Sequence, residues 1–277
     1  VLITGGGGQV GRELVRVFAD DAVAPTGLDV TDRDAVFQAV TTVRPDVVVH
    51  TAAWTHVDGC EGDPDRALRT NALGTRHVAH AARLAEARVV YLSTDYVFDG
   101  ELAGRGYHEW DDPNPLSVYG RSKLAGEREL GPDATVVRTS WVFGAHGSNM
   151  VKTVLRLAAA DLSGELRFVD DQRGCPTAAA DLADAVRRLV DDRMAGTFHV
   201  TNQGATTWYE FARAVLRAAG DDPERVRPIA TADLDPPRAA PRPRNSELDN
   251  AALRLSGLPL LADYREPLDR LVKELSA

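Results

Sequence analysis

Tyr119-Gly120-Arg121-Ser122-Lys123 sets a phenol and an amine four residues apart, and on a helix that spacing puts both on one face. A free phenol titrates near ~10, too high to trade protons readily at neutral pH. A neighbouring ammonium favours phenolate and lowers that value, so Tyr119 can hand a proton to a carbonyl oxygen as hydride reaches its carbon. Upstream, Ser93-Thr94-Asp95 closes an apolar run, where the Thr94 hydroxyl can hold and polarise the same oxygen. Taken singly, a threonine at a strand end is more often a turn bond, and Tyr-x-x-x-Lys is common on helices. The three residues gain meaning from what precedes them.

Thr4-Gly5-Gly6-Gly7-Gly8-Gln9-Val10-Gly11 lies between an apolar strand-like run and a helical pattern. Both Gly-x-Gly-x-x-Gly at 6, 8 and 11 and Gly-x-x-Gly-x-x-Gly at 5, 8 and 11 fit. Either way a turn without side chains lets backbone approach a pyrophosphate, and the start of the helix holds its charge. Gly5, Gly8, Gln9 and Val10 are therefore expected to carry a dinucleotide, with Gly11 letting the helix press on the sheet. Beyond a later strand, Ala52 and Ala53 are small enough for the cofactor's ribose and phosphate to lie close, with Thr55 nearby. Lys123 can also hold the nicotinamide ribose. The second strand ends Ala24-Pro25-Thr26-Gly27 without the acid that often selects NAD. Asp29 and Val30, in Asp29-Val30-Thr31-Asp32, suit an adenine-edge contact beside a helix cap, and Arg12 is within reach of a 2′-phosphate. NADPH is the expected cofactor, with NADH tolerated.

These residues need a frame. Strand-like runs at Val1–Thr4, Ala22–Pro25, Val47–His50, Val89–Ser93, Thr135–Arg138 and Gly196–Val200 alternate with helical patterns. The helical patterns cover Val10–Ala19, Arg33–Val43, Pro64–Glu86 and Ser117–Leu130. Such alternation predicts an α/β fold, a Rossmann-like doubly wound parallel sheet, over residues 1–144. The remainder, 145–277, reads as a smaller C-terminal α/β substrate domain, with about 178–200 returning to the core sheet. It holds helical patterns at Asn149–Ala160, Ala179–Val190, from Thr207 and at Ser246–Leu255, and a strand at Leu166–Val169. Thr206 or Thr207 can cap, with Glu210 completing a capping box. The stretch Leu234–Arg244 is rich in proline and reads as an ordered surface loop.

Composition narrows the function. A net charge of −9 argues against general nucleic-acid binding. No apolar run is long enough for a membrane span, and no secretory signal is read at the start, so a cytoplasmic protein is expected. Cys60 and Cys175 lie far apart with no Cys-x-x-Cys and no His/Cys cluster, which suggests two reduced thiols and no structural metal.

Longer blocks carry a resemblance. They are Gly8-Gln9-Val10-Gly11, Ala52-Ala53-Trp54-Thr55-His56-Val57-Asp58, Ser93-Thr94-Asp95-Tyr96-Val97-Phe98-Asp99-Gly100, Val118 to Glu127, Arg138-Thr139-Ser140-Trp141 and Asp171-Gln172-Arg173-Gly174-Cys175-Pro176-Thr177. With Arg242-Pro243-Arg244-Asn245-Ser246, they make the chain resemble, nearly end to end, the extended short-chain dehydrogenase/reductase family, in its dTDP-4-dehydrorhamnose reductase branch. The resemblance implies reduction of dTDP-4-dehydro-6-deoxy-L-mannose to dTDP-L-rhamnose, or of a close dTDP-4-keto-deoxysugar. It assigns catalysis to Thr94, Tyr119 and Lys123, and sugar contacts to Val57, Asp95, Tyr96 and Trp141, although core packing is the alternative for Trp141. Some members dimerise around magnesium. Glu13 matches one acidic position but the others find no match, so no metal is expected, and the chain is read as monomer or homodimer.

The sugar nucleotide's two negative charges would be met by Arg173, Lys152, Arg242 and Arg244, with Asn149 as a neutral donor. A 4,6-dehydratase needs an acid/base pair, typically Asp then Glu, after the strand-end threonine. Here Tyr96 follows Asp95, which disfavours dehydration. A nucleotide-sugar 4-epimerase and a non-catalytic regulatory subunit stay open, the latter weakened by the retained Thr94, Tyr119 and Lys123.

Overall fold

The computed structural model describes residues 1–160 and 164–275. Its centre is a five-stranded parallel sheet: β1 (Leu2–Thr4), β2 (Val47–His50), β3 (Arg88–Thr94), β4 (Thr135–Thr139) and the edge strand Gly196–His199, in that order. Every residue of β2 and β4 is buried, as strands covered on both faces must be. Alternate residues feed opposite cores. Ile3, Val49, Leu92 and Val137 pack with α1 (Gln9–Phe18) and helix Ala179–Asp191. Leu2, Val48 and Val89 pack with α2 (Arg33–Val43) and helix Gly74–Leu84. The period-two geometry of strands produces this division.

The expected strand Ala22–Pro25 is reduced to one bridge, Val23 beside Leu2. Val23 N donates to the Val1 carbonyl and its own carbonyl accepts from Ile3 N at 2.8 Å. Val23 is an exposed edge residue, and Pro25 has no N–H with which to extend a ladder. Leu2 also pairs Val48, so Val23 and β2 flank β1 on opposite sides. The order of winding therefore reverses at β1, and ligands of open α/β sheets bind at such a switch point.

Two helices also differ from expectation. The stretch expected as one helix over Pro64–Glu86 is α-helical at Pro64–Leu68 and Gly74–Leu84, with a π segment, Arg69–Leu73, between. That segment presents Asn71, whose buried side chain accepts from Trp54 N at 2.8 Å and donates to the Trp54 carbonyl and Ser122 Oγ. Of the helix expected over Ser246–Leu255, only Ala251–Leu255 forms. Residues before it pair elsewhere: Ser246 N donates to the Arg173 carbonyl, Tyr107 N to that of Glu247, and Asp249 N to that of Tyr107. Long-range backbone pairing overrides the local period.

A second core joins Phe143, Val154, Phe211, Val215, Tyr264 and Leu268. It lies among helices Met150–Ala160, Trp208–Ala218 and Arg265–Leu275 and the parallel strand pair Leu166–Val169 with Val226–Ile229. Thr207 caps its helix by accepting from Glu210 N, while the Glu210 carboxylate accepts from Arg213 instead of closing the box. Among the described residues no helix is long and apolar enough to cross a membrane. Cys60 and Cys175 are both free and buried.

Candidate active site

The glycine loop leaves β1 at the switch point. Gly5 has φ +70°, and a Cβ there would lie 2.7 Å from Ala52 N. Gly8 N donates to the Gly5 carbonyl at 2.9 Å, and a Cβ on Gly11 would collide with that same carbonyl oxygen. The 5, 8, 11 spacing is thus the one that shapes the turn, while Gly6 lies against Ala24. Gln9 and Val10 open α1, where unpaired amides and the helix dipole favour an anion. Gln9 Nε2 donates to the Val142 carbonyl, and its Oε1 accepts from Asn149 at 2.9 Å.

A cleft of about 410 Å³ extends from this loop across the ends of β2, β3 and β4. Gly5, Gly8, Gln9 and Val10 border it, as do Ala53, Thr55, Thr94, Asp95, Tyr119, Lys123 and Trp141. Ser117 caps helix Val118–Glu127 by accepting from Gly120 N. Gly120 in turn lets that helix approach the Tyr96 carbonyl. Tyr119 and Lys123 then face the end of β3 from one side of the helix.

The protonation states depart from the simple expectation of an acidified phenol. Burial pushes the Tyr119 phenol well above its usual value, with the Thr94 hydroxyl beside it pulling the other way. Lys123, 3% exposed, donates from Nζ to the Leu92 carbonyl at 2.6 Å and lies 4.0 Å over the Tyr91 ring. Burial draws its amine down to about 7, opposed by Glu127. Desolvation therefore dominates at both groups. The phenol stays protonated at neutral pH, the state a proton donor requires.

Thr94 Oγ1 donates to Asp95 Oδ1 at 2.9 Å and accepts from Tyr96 N at 3.2 Å. Asp95 is 2% exposed, and burial raises its carboxyl to about 6. Tyr96 packs edge-on against Tyr119, and burial pushes its phenol up to about 12. Arg242, 184 residues from Asp58, grips it by donating from Nη1 and Nη2 to the two carboxylate oxygens at 2.5 and 2.7 Å. That pair ties the proline-rich loop to helix Val57–Gly62, which begins at Val57.

Trp141 holds φ +48°, rare for a side-chain-bearing residue. Its indole stacks on Trp208 at 3.5 Å and 7°. It is partly buried and borders the cleft. Trp208 went unrecognised because nothing local marks it; only its helix start was legible. Asn71 and Ser140 were also unrecognised. Ser140 borders the cleft and donates to the Cys175 carbonyl.

Other expected residues sit differently. Asp29 is exposed, its carboxylate accepting from Thr31 N and Oγ1, and Val30 is buried against Gly74; neither borders the cleft. Ala52 lies behind Gly5. Asn149, expected to meet substrate, is a strut, donating to Gln9 Oε1 and the Gly144 carbonyl. Lys152 donates to the carbonyls of Ala145 and Gly147, and Arg173 pairs Glu247 at 2.7 Å. Arg244 is exposed. Glu13, the candidate magnesium position, pairs Arg16 at 2.8 Å.

A glycine turn at the switch point of a parallel sheet, facing a threonine, a tyrosine and a lysine, defines an oxidoreductase of the short-chain dehydrogenase/reductase class. The family model described as the RmlD substrate binding domain matches residues 1–277. A dTDP-4-dehydrorhamnose reductase of Streptomyces griseus is 44% identical over 96% of this chain and 91% of that protein. A dTDP-4-keto-6-deoxy-D-glucose reductase of Streptomyces niveus is 39% identical over 100% of this chain and 97% of its own. The crystal structure of the Bacillus anthracis dTDP-4-dehydrorhamnose reductase in complex with NADP superposes with a TM-score of 0.92 at 38% identity, covering 99% of this chain and 98% of that one. The chain belongs to the dTDP-4-dehydrorhamnose reductase family.

Proposed function

We propose that this chain reduces the 4-keto group of a dTDP-linked 6-deoxysugar, with dTDP-4-dehydrorhamnose as substrate, dTDP-L-rhamnose as product and NADPH as cofactor. The carrying observation is that Thr94, Tyr119 and Lys123 border the same cleft as the glycine loop. The loop suits a dinucleotide, since close backbone packing at Gly5 and Gly11 leaves no room for side chains. When bound, the reduced nicotinamide supplies hydride. Gly5, Gly8, Gln9 and Val10 hold the pyrophosphate through backbone, and Ala53 and Thr55 lie along the ribose side. Lys123 holds the nicotinamide ribose and keeps positive charge beside the phenol. Tyr119, kept protonated by burial, gives its proton to the C4 oxygen, and Thr94 polarises that oxygen.

The sugar nucleotide lies toward Val57, Asp95, Tyr96 and the Trp141–Trp208 stack. Arg242, Arg173 and Arg244, from residues 145–277, are the cations that would meet its diphosphate, Arg242 and Arg173 exchanging Asp58 and Glu247 for it. That second part of the chain supplies the substrate side, apart from about 178–200 in the core sheet. The pairing of Asp95 with Tyr96, not with a glutamate, favours reduction over dehydration.

The test is NADPH oxidation with dTDP-4-dehydro-6-deoxy-L-mannose, followed by determination of the C4 configuration. Tyr119→Phe is expected to lower kcat by about 10²–10⁴ with NADPH affinity within threefold of wild type. A wild-type protein that binds NADPH yet turns over no dTDP-4-keto sugar refutes the reading.

A further inference from the structure

A hydroxyl carries one proton, and the single proton of Thr94 is already committed. It goes to Asp95 Oδ1 at 2.9 Å. The oxygen of Thr94 meanwhile accepts from Tyr96 N and lies beside the Tyr119 phenol. In this arrangement Thr94 has nothing to offer a substrate oxygen. To donate, its proton must leave Asp95, and the ease of that depends on the charge Asp95 bears.

Asp95 is placed to vary that charge. It is nine-tenths buried, borders the cleft, and its Oδ2 makes no hydrogen bond of its own among the described residues. The Ser246 hydroxyl, which also reaches the Arg173 carbonyl at 3.3 Å, faces the carboxyl and favours its charged form. The other titratable groups around it are Tyr96 on its own turn, Tyr119 on the facing helix, Cys175 on the segment leading to Thr177, and Lys123 across the cleft. Tyr96, Tyr119 and Cys175 all stay neutral near pH 6, each held up by burial.

Resting on the reductase reading, we propose that Asp95 is a positioning residue for Thr94: its carboxylate captures the Thr94 proton, and its neutral carboxyl releases that proton to the oxygen being reduced. The neutral acid carries its own proton on one oxygen and attracts the Thr94 hydroxyl less, since charge-assisted hydrogen bonds are the stronger kind. The role is distinct from a sugar contact because it changes a rate with pH and not binding alone.

With the carboxyl held up to about 6, kcat/KM for the 4-keto sugar nucleotide falls about tenfold per pH unit above that point, until Lys123 adds a second fall near about 7. The experiment measures kcat and KM with NADPH from pH 5 to 8 for wild type, Asp95→Asn and Ser246→Ala. Asp95→Asn places an amide beside Thr94, so the lower fall disappears while the one near 7 persists. Ser246→Ala removes a group that stabilises the carboxylate, so the lower fall moves to higher pH. The proposal is overturned if Asp95→Asn keeps the lower fall, or only raises KM by one factor at every pH. Should Asp95→Asn not fold, an unmoved profile in Ser246→Ala overturns it as well. A wild-type protein inactive at every pH instead sinks the reductase reading and this proposal with it.

Discussion

Replacing Gly11 by alanine isolates the contribution of the glycine turn. An added Cβ would strike the Gly5 carbonyl oxygen and sit 2.8 Å from the Gly6 Cα. Both are backbone, held by β1 on one side and α1 on the other. Ordinary contact begins near 3.4 Å, so relieving the clash with the carbonyl oxygen requires strand and helix to part by more than about 1 Å. Charge-assisted hydrogen bonds from amides to a pyrophosphate contribute about 1.5–3 kcal/mol each. Losing one raises the NADPH Kd by about 10- to 150-fold, since about 1.4 kcal/mol is tenfold. Alanine also favours helix by about 1 kcal/mol over glycine, so stability falls less than affinity. Gly7→Ala is the control, because a Cβ there meets nothing within 4 Å. Fluorescence titration of NADPH against both variants, with thermal unfolding in parallel, reads the difference. Equal Kd values for Gly11→Ala and Gly7→Ala would show that the close backbone packing does not shape the anion site.

Two other outcomes follow from packing and burial. Trp208→Ala removes the ring stacked under Trp141, and stacking contributes about 0.5–1.5 kcal/mol beyond buried area; KM for the sugar nucleotide should rise several-fold in steady-state kinetics while kcat changes little. A kcat loss equal to that of Tyr119→Phe would contradict that assignment. Burial draws both His50 and His199 down to about 3. The folded state therefore binds fewer protons than the unfolded chain between about 6.5 and 3, and stability falls as pH falls through that window. Each histidine costs about 2 kcal/mol between pH 7 and 5, with Asp95, whose carboxyl is raised, opposing by a smaller amount. Urea unfolding at the two pH values should show His199→Gln losing much of this sensitivity; an unchanged difference would refute it.

The features legible in the sequence are those with local causes. Val47–His50 is a strand at both bounds as read, because a branched apolar run buried on two faces has few alternatives. Tyr119 and Lys123 fall on one helix face because a period of 3.6 requires it. The glycine loop was placed correctly, but the choice between its two spacings depended on Gly5, whose positive φ and close approach to Ala52 no pattern displays. Partners distant in the chain were beyond reach. Arg242 was read as a candidate for phosphate, yet Asp58 holds it, and only the folded loop brings the two together. Trp141 was recognised while its stacking partner Trp208 was not, for the same reason. Pairing of the Tyr119 and Lys123 charges was reasoned from spacing, whereas burial, a tertiary property, decides both protonation states.

The wide turn at Arg69–Leu73 separates two kinds of tolerance. Elsewhere in a helix, dropping one residue rotates everything beyond it by about 100° and would carry Val78 and Ala82 off the sheet. A π turn holds one residue more than an α turn, so a deletion there restores regular winding and leaves both flanks in phase. What vanishes is the bulge that brings the Asn71 amide to the Trp54 backbone, beside the wall of the cleft. Shortening the chain at this one place would spare the scaffold and unfasten the site.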